Sequence, residues 1–167
     1  MKRLIAAVAL AAGVTAACGS DPQTHTVTAS DFSFEGLPDT MSPGDRIEFR
    51  NESDTEIHEL VAFRLGDDET RPIAELVQLA PDELLGLVGA ELAAVLLAAP
   101  GGEMIAAVGD GTFDEPGRYG VICVIPTGAN PDEYLAAAAE SEGGPPDVAG
   151  GPPHIAHGMF AEFTVED

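Results

Sequence analysis

Residues 117–165 open with GRYGVICVIPTG, close with PPHIAHGMFAEFTV, and hold Cys123, His154, His157 and Met159. A thiol, an imidazole and a thioether brought together describe one kind of metal site above others. That site has trigonal Cys and His donors with a long axial Met, the arrangement suited to one-electron copper chemistry. Cys123, His154 and Met159 are therefore candidate ligands, and a second imidazole must come from elsewhere in the chain. His58 is the best placed candidate, at the start of an extended segment and beside a polar loop. His154 and His157 compete for the nearer position. Four residues separate His154 from Met159, enough for the loop to curl both side chains toward one ion, whereas Gly158 alone separates His157 from Met159. His154 is preferred, with His157 as an exposed neighbour.

The elements that must position these residues read mostly as strands. Thr24 to Phe34 is rich in β-branched and aromatic residues, and Arg46 to Arg50 alternates cleanly with Ile47 and Phe49 inward. Asn51 to Glu56 is a polar loop, after which Ile57 to Leu65 is extended, with His58, Leu60 and Ala62 on one face. Tyr119, Val121 and Cys123 share a strand face by the same two-residue period, and Phe160 to Val165 forms a closing strand. Between Gly66 and Gly102 the period changes. Pro72 opens a helix through Leu79, and Pro81, Asp82 and Glu83 open a second that runs on to Ala99, so a helical insert is expected at about 67–102. This segment is too short and too broken by glycine to span a membrane. A long loop follows at about 126–153, in which Asn130 caps a short helix ending about Glu140.

The run Pro116, Gly117, Arg118, Tyr119, Gly120, Val121, Ile122, Cys123, followed by His154, Met159 and the last strand, resembles the cupredoxins, of the plastocyanin-like and azurin-like kind. The resemblance covers roughly residues 24 to 63 and 103 to 167. It implies an all-β Greek-key β-sandwich with an inserted helical segment, one type 1 copper ion, and His58, Cys123, His154 and Met159 as its ligands. It also implies outer-sphere electron transfer rather than enzymatic turnover. Two departures stand out. Thirty residues lie between Cys123 and His154, where plastocyanin-like proteins have a few. Closing a longer loop costs only about 0.6 kcal/mol per doubling of its length. The second is Glu59, which follows His58 where the family carries a bracing Asn; Asn51 is a candidate for part of that bracing.

The chain starts MKRLIAAVALAAGVTAAC, a charged start, an apolar run and small residues before Cys18, which describes an export signal. Thr15 to Cys18 further resembles a lipoprotein processing box. Residues 1–17 are then a signal peptide, Cys18 is lipidated, 18–23 form a tether and 24–167 the domain, held at the outer face of the cytoplasmic membrane. Cys123 is left without a disulfide partner, and an unpaired thiol in an exported protein calls for a role such as ligation. Loss of residues 1–17 leaves five arginines against 29 acidic side chains, a net charge of −24. Such a surface repels nucleic acid and favours a basic redox partner, or serves solubility alone. No catalytic triad, phosphate loop or dinucleotide fingerprint is visible. The leading expectation is a membrane-anchored electron carrier. The alternatives are a copper storage or delivery protein and a metal-free interaction module.

Overall fold

The computed structural model describes residues 21–141 and 144–166. In chain order its strands are β1 (Thr24–Ser30), β2 (Ser33–Glu35), β3 (Thr40–Met41), β4 (Asp45–Asn51), β5 (His58–Arg64), β6 (Leu92–Ala98), β7 (Ile105–Val108), β8 (Thr112–Phe113), β9 (Gly117–Ile122) and β10 (Phe160–Val165). Three helices join them: α1 (Ile73–Leu76), α2 (Pro81–Ala90) and α3 (Pro131–Glu140). The strands form a four-stranded sheet in the order β2-β1-β4-β8 and a six-stranded sheet in the order β3-β10-β9-β5-β6-β7. This is the expected β-sandwich with a small helical insert.

Alternation decides which side chains meet between the sheets. Ile47 and Phe49 of β4, Leu60 and Ala62 of β5, and Tyr119 and Val121 of β9 point into one buried cluster, which also takes in Phe113, Phe163 and Cys123. The out-of-phase residues Val61, Phe63 and Ile122 lie on the outer face of the larger sheet, where α1 and α2 cover them with Ile73, Leu76, Leu84 and Val88. A four-residue helix such as α1 has no stability of its own. It is held by burial of Ile73 and Leu76 and by the Glu162 carboxylate, which accepts the Ile73 N–H at 3.1 Å. Gly120 of β9 makes the close approach possible, because a Cβ there would stand 2.7 Å from Phe63 Cζ and 2.9 Å from Ile73 Cδ1. Tyr119 forms a tyrosine corner, its hydroxyl donating to the Glu115 carbonyl at 2.8 Å.

The helical insert is shorter than the expected 67–102: α2 stops at Ala90, and Leu92–Ala98 is a strand antiparallel to β5. The run LAAVLLA has no polar face to give a period, because both its faces are covered. Leu96 and Ala98 point between the sheets, while Val95 packs toward the cluster under α2. A continuous apolar stretch of this length is equally compatible with helix and strand; the open edge of β5 supplied the hydrogen bonds that settled it. The proposed signal peptide and residues 18–20 of the tether, Cys18 among them, lie outside the described residues.

Candidate metal centre

Three strand ends meet at one tip of the larger sheet. His58 opens β5, Cys123 follows β9 directly, and Met159 precedes β10. Because β9 lies between β5 and β10, the thiol sits between the other two by topology alone. The imidazole of His154 is brought in by a second device. Residues 123–127 and 151–155 run antiparallel and are bonded together. Ile155 N–H donates to Cys123 O at 2.8 Å, His154 N–H to Ile125 O at 3.0 Å, Thr127 N–H to Pro152 O at 3.0 Å and Gly151 N–H to Thr127 O at 2.8 Å. The thirty residues after Cys123 thus leave and return along their own path, and their length does not separate the two side chains. Within the excursion, Asn130 caps α3 as expected, its Oδ1 accepting from the Asp132 and Glu133 amides.

His154–His157 forms one turn of 3-10 helix, ended by Gly158 at φ 97°. Only glycine takes that left-handed conformation without strain, and it reverses the chain into Met159. His154 is wholly buried while His157 is exposed, so the turn delivers the first histidine inward and the second outward.

His58, Cys123 and His154 are all buried, and their ligand atoms lie within 4.8 Å of one another. His154 Nδ1 stands 3.1 Å from His58 Nδ1 and 3.3 Å from Cys123 Sγ. Donors at about 2.0 Å for nitrogen and 2.3 Å for sulfur around one ion in a plane stand about 3.5–3.7 Å apart, so the two pairs that share His154 Nδ1 need spread by only a few tenths of an ångström to take an ion. Met159 is buried in the same cluster. Its carbonyl accepts the Cys123 N–H at 3.2 Å and its N–H donates to the His154 carbonyl at 3.2 Å. Two imidazoles, one thiol and a neighbouring thioether make up the donor set of a type 1 copper site.

The electrostatics suit a cation. Burial pushes His58 down to about 4, with His154 adding to the effect and Glu56 opposing it. Burial also lowers His154, against the Glu56 carboxylate. Both rings are therefore neutral at neutral pH, the form that ligates. The Cys123 thiol is pushed up, chiefly by burial and then by the charge of Glu59. It stays protonated until a cation takes the proton's place.

Glu59, where the resemblance led to the expectation of a bracing Asn, makes bracing contacts of its own. Its Oε1 accepts the Val124 N–H at 3.1 Å, its Oε2 accepts the Tyr134 hydroxyl of α3 at 3.2 Å, and its own N–H points at Cys123 Sγ at 3.5 Å. Burial drives this carboxyl up to about 7 against those two donors. Asn51 does hold the preceding loop, its Nδ2 donating to the carbonyls of Glu56 at 2.8 Å and Ala98 at 2.9 Å.

Two residues at the site had gone unremarked in the sequence. Phe32 packs edge-on against His154, ring centres 4.9 Å apart, and stacks with His157 at 4.8 Å, closing the outer side of the ligand rings. It is presented by a two-residue hairpin turn in which Asp31 and Phe32 both have positive φ, 39° and 69°. Asn-Gly is the usual signal for that turn, so nothing in Asp-Phe announced it. Glu56 meets the far edge of His154 at 3.3 Å.

No protein-family model matches the chain, and no curated protein matches it. Among solved structures, it is similar to sodium dithionite-reduced auracyanin from the photosynthetic bacterium Roseiflexus castenholzii, at 20% identity over 89% of this chain and 100% of that one, with a TM-score of 0.48. It is also similar to auracyanin B, at 19% identity over 89% of this chain and 93% of that one, with a TM-score of 0.40.

Proposed function

We propose that this chain is a type 1 copper protein that carries single electrons, with His58, Cys123, His154 and Met159 as ligands. The observation that carries this reading is the convergence of two buried imidazoles and one buried thiol, from three separate parts of the chain, within 4.8 Å. Bound there, copper supplies reversible one-electron chemistry between Cu(I) and Cu(II). The chain's own part is to keep the donors nearly fixed. His58 and Cys123 stand at the ends of adjoining central strands, and His154 is tied to the Cys123 segment by backbone hydrogen bonds. Little then has to move when an electron arrives. Phe32 and the surrounding core keep bulk water from the ligand rings, which favours electron exchange over substrate binding. The thiol gives up its proton as the cation enters, so loading is expected to weaken as the medium is acidified.

Export and anchoring through a lipid on Cys18, at the outer face of the cytoplasmic membrane, are supported by the signal-like first 17 residues and the box at Thr15–Cys18. The partner is a redox protein, reached by outer-sphere contact near Phe32 and His157.

Titration of the apo-protein with Cu(II) tests the reading. An intense visible thiolate-to-copper absorption is expected at one equivalent, reversibly bleached by reductant and absent in Cys123→Ser. A tightly bound but colourless ion would favour storage or delivery, and no binding would leave a metal-free module.

A further inference from the structure

His154 has two ring nitrogens, and the outer one is also occupied. Nδ1 faces His58 and Cys123, while Nε2 lies 3.3 Å from Glu56 Oε2. The same carboxylate oxygen accepts the Gly128 N–H at 2.9 Å. Glu56 is itself held by contacts that do not involve the histidine. Its carbonyl accepts from Asn51 Nδ2 at 2.8 Å, and its N–H donates to Ser53 Oγ at 3.0 Å. The Glu56 side chain is 17% exposed and His154 is 0% exposed, so this carboxylate meets the imidazole where solvent screens it poorly.

We propose that Glu56 is the positioning residue for the His154 ligand: its carboxylate holds the imidazole proton on Nε2, turns the Nδ1 lone pair toward Cys123 and His58, and sets a fixed negative charge against the ring. A ligating histidine whose second nitrogen donates to a carboxylate is fixed in tautomer and orientation and made more basic. The tautomer of His154 also sets that of His58. Its Nε2 is buried with no hydrogen-bond partner among the described residues. If His154 carries its proton on Nε2, His58 can donate from Nδ1 to His154 Nδ1, and its buried Nε2 is a bare acceptor. The opposite tautomer would make His58 Nδ1 the acceptor and place its proton on the buried Nε2, so the two imidazoles change tautomer together.

The consequence for redox chemistry rests on the copper reading. A negative charge one imidazole away favours the more positive oxidised ion, so Glu56 lowers the reduction potential. Long-range 15N–1H NMR of the metal-free protein is expected to show His154 protonated at Nε2 in the wild type and in mixed tautomers in Glu56→Ala. In the copper-loaded protein, Glu56→Gln, which removes the charge and keeps the shape, is expected to favour Cu(I) about tenfold more than wild type, a rise of about 59 mV. A wild-type His154 protonated at Nδ1, a tautomer unchanged in Glu56→Ala, or an unchanged potential in Glu56→Gln would each overturn the proposal. Failure to bind copper would sink the electron-carrier reading instead, and the metal-free NMR comparison would then decide the role of Glu56 alone.

Discussion

His58 and Glu59 are adjacent in sequence, both buried, and displaced in opposite senses by the same cause. Glu59 is raised from 4.5 to about 7, so between those values the folded protein holds a proton that the unfolded chain has lost. Its contribution to stability is present in full below pH 4.5 and disappears as pH rises through 7. His58 is lowered from 6.5 to about 4, so there the unfolded chain binds the extra proton. Its contribution is present above pH 6.5 and is lost as pH falls through 4. Over the shared window the two nearly cancel in the metal-free protein, and substitution should separate them. Relative to wild type, Glu59→Gln is expected to gain stability between pH 4.5 and 7.5, by roughly 3 kcal/mol at the limit set by 1.36 kcal/mol per pKa unit. His58→Gln should lose a similar amount over the same range. Urea unfolding at several pH values checks both, and a Glu59→Gln curve parallel to wild type would mean that the buried carboxyl is ionised throughout.

The element that matters most to the site is the pair of segments 123–127 and 151–155, because it converts a thirty-residue excursion into a local contact. Gly150 stands where the returning segment comes closest. A Cβ there would collide with Pro126 Cβ and stand 3.1 Å from the Thr127 carbonyl, whereas one at Gly151 would meet Thr127 only at 3.5 Å, an ordinary contact. Gly150→Ala is therefore expected to cost about 1–3 kcal/mol in unfolding free energy and to shift the visible band, since displacing the segment moves His154. Gly151→Ala should stay within about 0.5 kcal/mol of wild type with its spectrum unchanged. The contrast also explains what the sequence could and could not reveal. Strands β4, β5 and β9 carry a two-residue period and α3 carries an Asn-Pro cap, so they could be read locally. So could the kinds of donor and the face on which Cys123 lies. Strand β6 could not, because burial on both faces erased its period. Glu56 could not either, because its role depends on Gly128 and His154, 72 and 98 residues away. Nor could Glu59, whose departure from the family pattern was visible while its partner Tyr134, 75 residues on, was not.

At the scale of the whole molecule, the charge is one-sided and the arginines among the described residues are already engaged. The net charge is −22 over the chain. Among the described residues, Arg50 pairs with Glu48, Arg64 with Asp67, Arg71 with Glu69 and Arg118 with Glu162, while Arg46 donates to the Asp110 carbonyl. Among the described residues no arginine is left to form a basic patch, so the surplus of carboxylates sets the sign of the field that an approaching partner meets. Such a field speeds encounters with cations and slows those with anions, and salt reduces both effects. The Debye length falls from about 30 Å at 0.01 M to about 10 Å at 0.1 M ionic strength, less than the reach of a molecule this size. Oxidation of the Cu(I) protein by a tripositive cobalt phenanthroline complex should therefore slow several-fold over that range, while oxidation by hexacyanoferrate(III) should speed up. Stopped-flow rates at the bleached and recovered visible band measure both. Two flat profiles would show that the ligand end, around Phe32 and His157, is electrostatically isolated from the rest of the surface, so that the acidic charge serves solubility and does not select the partner.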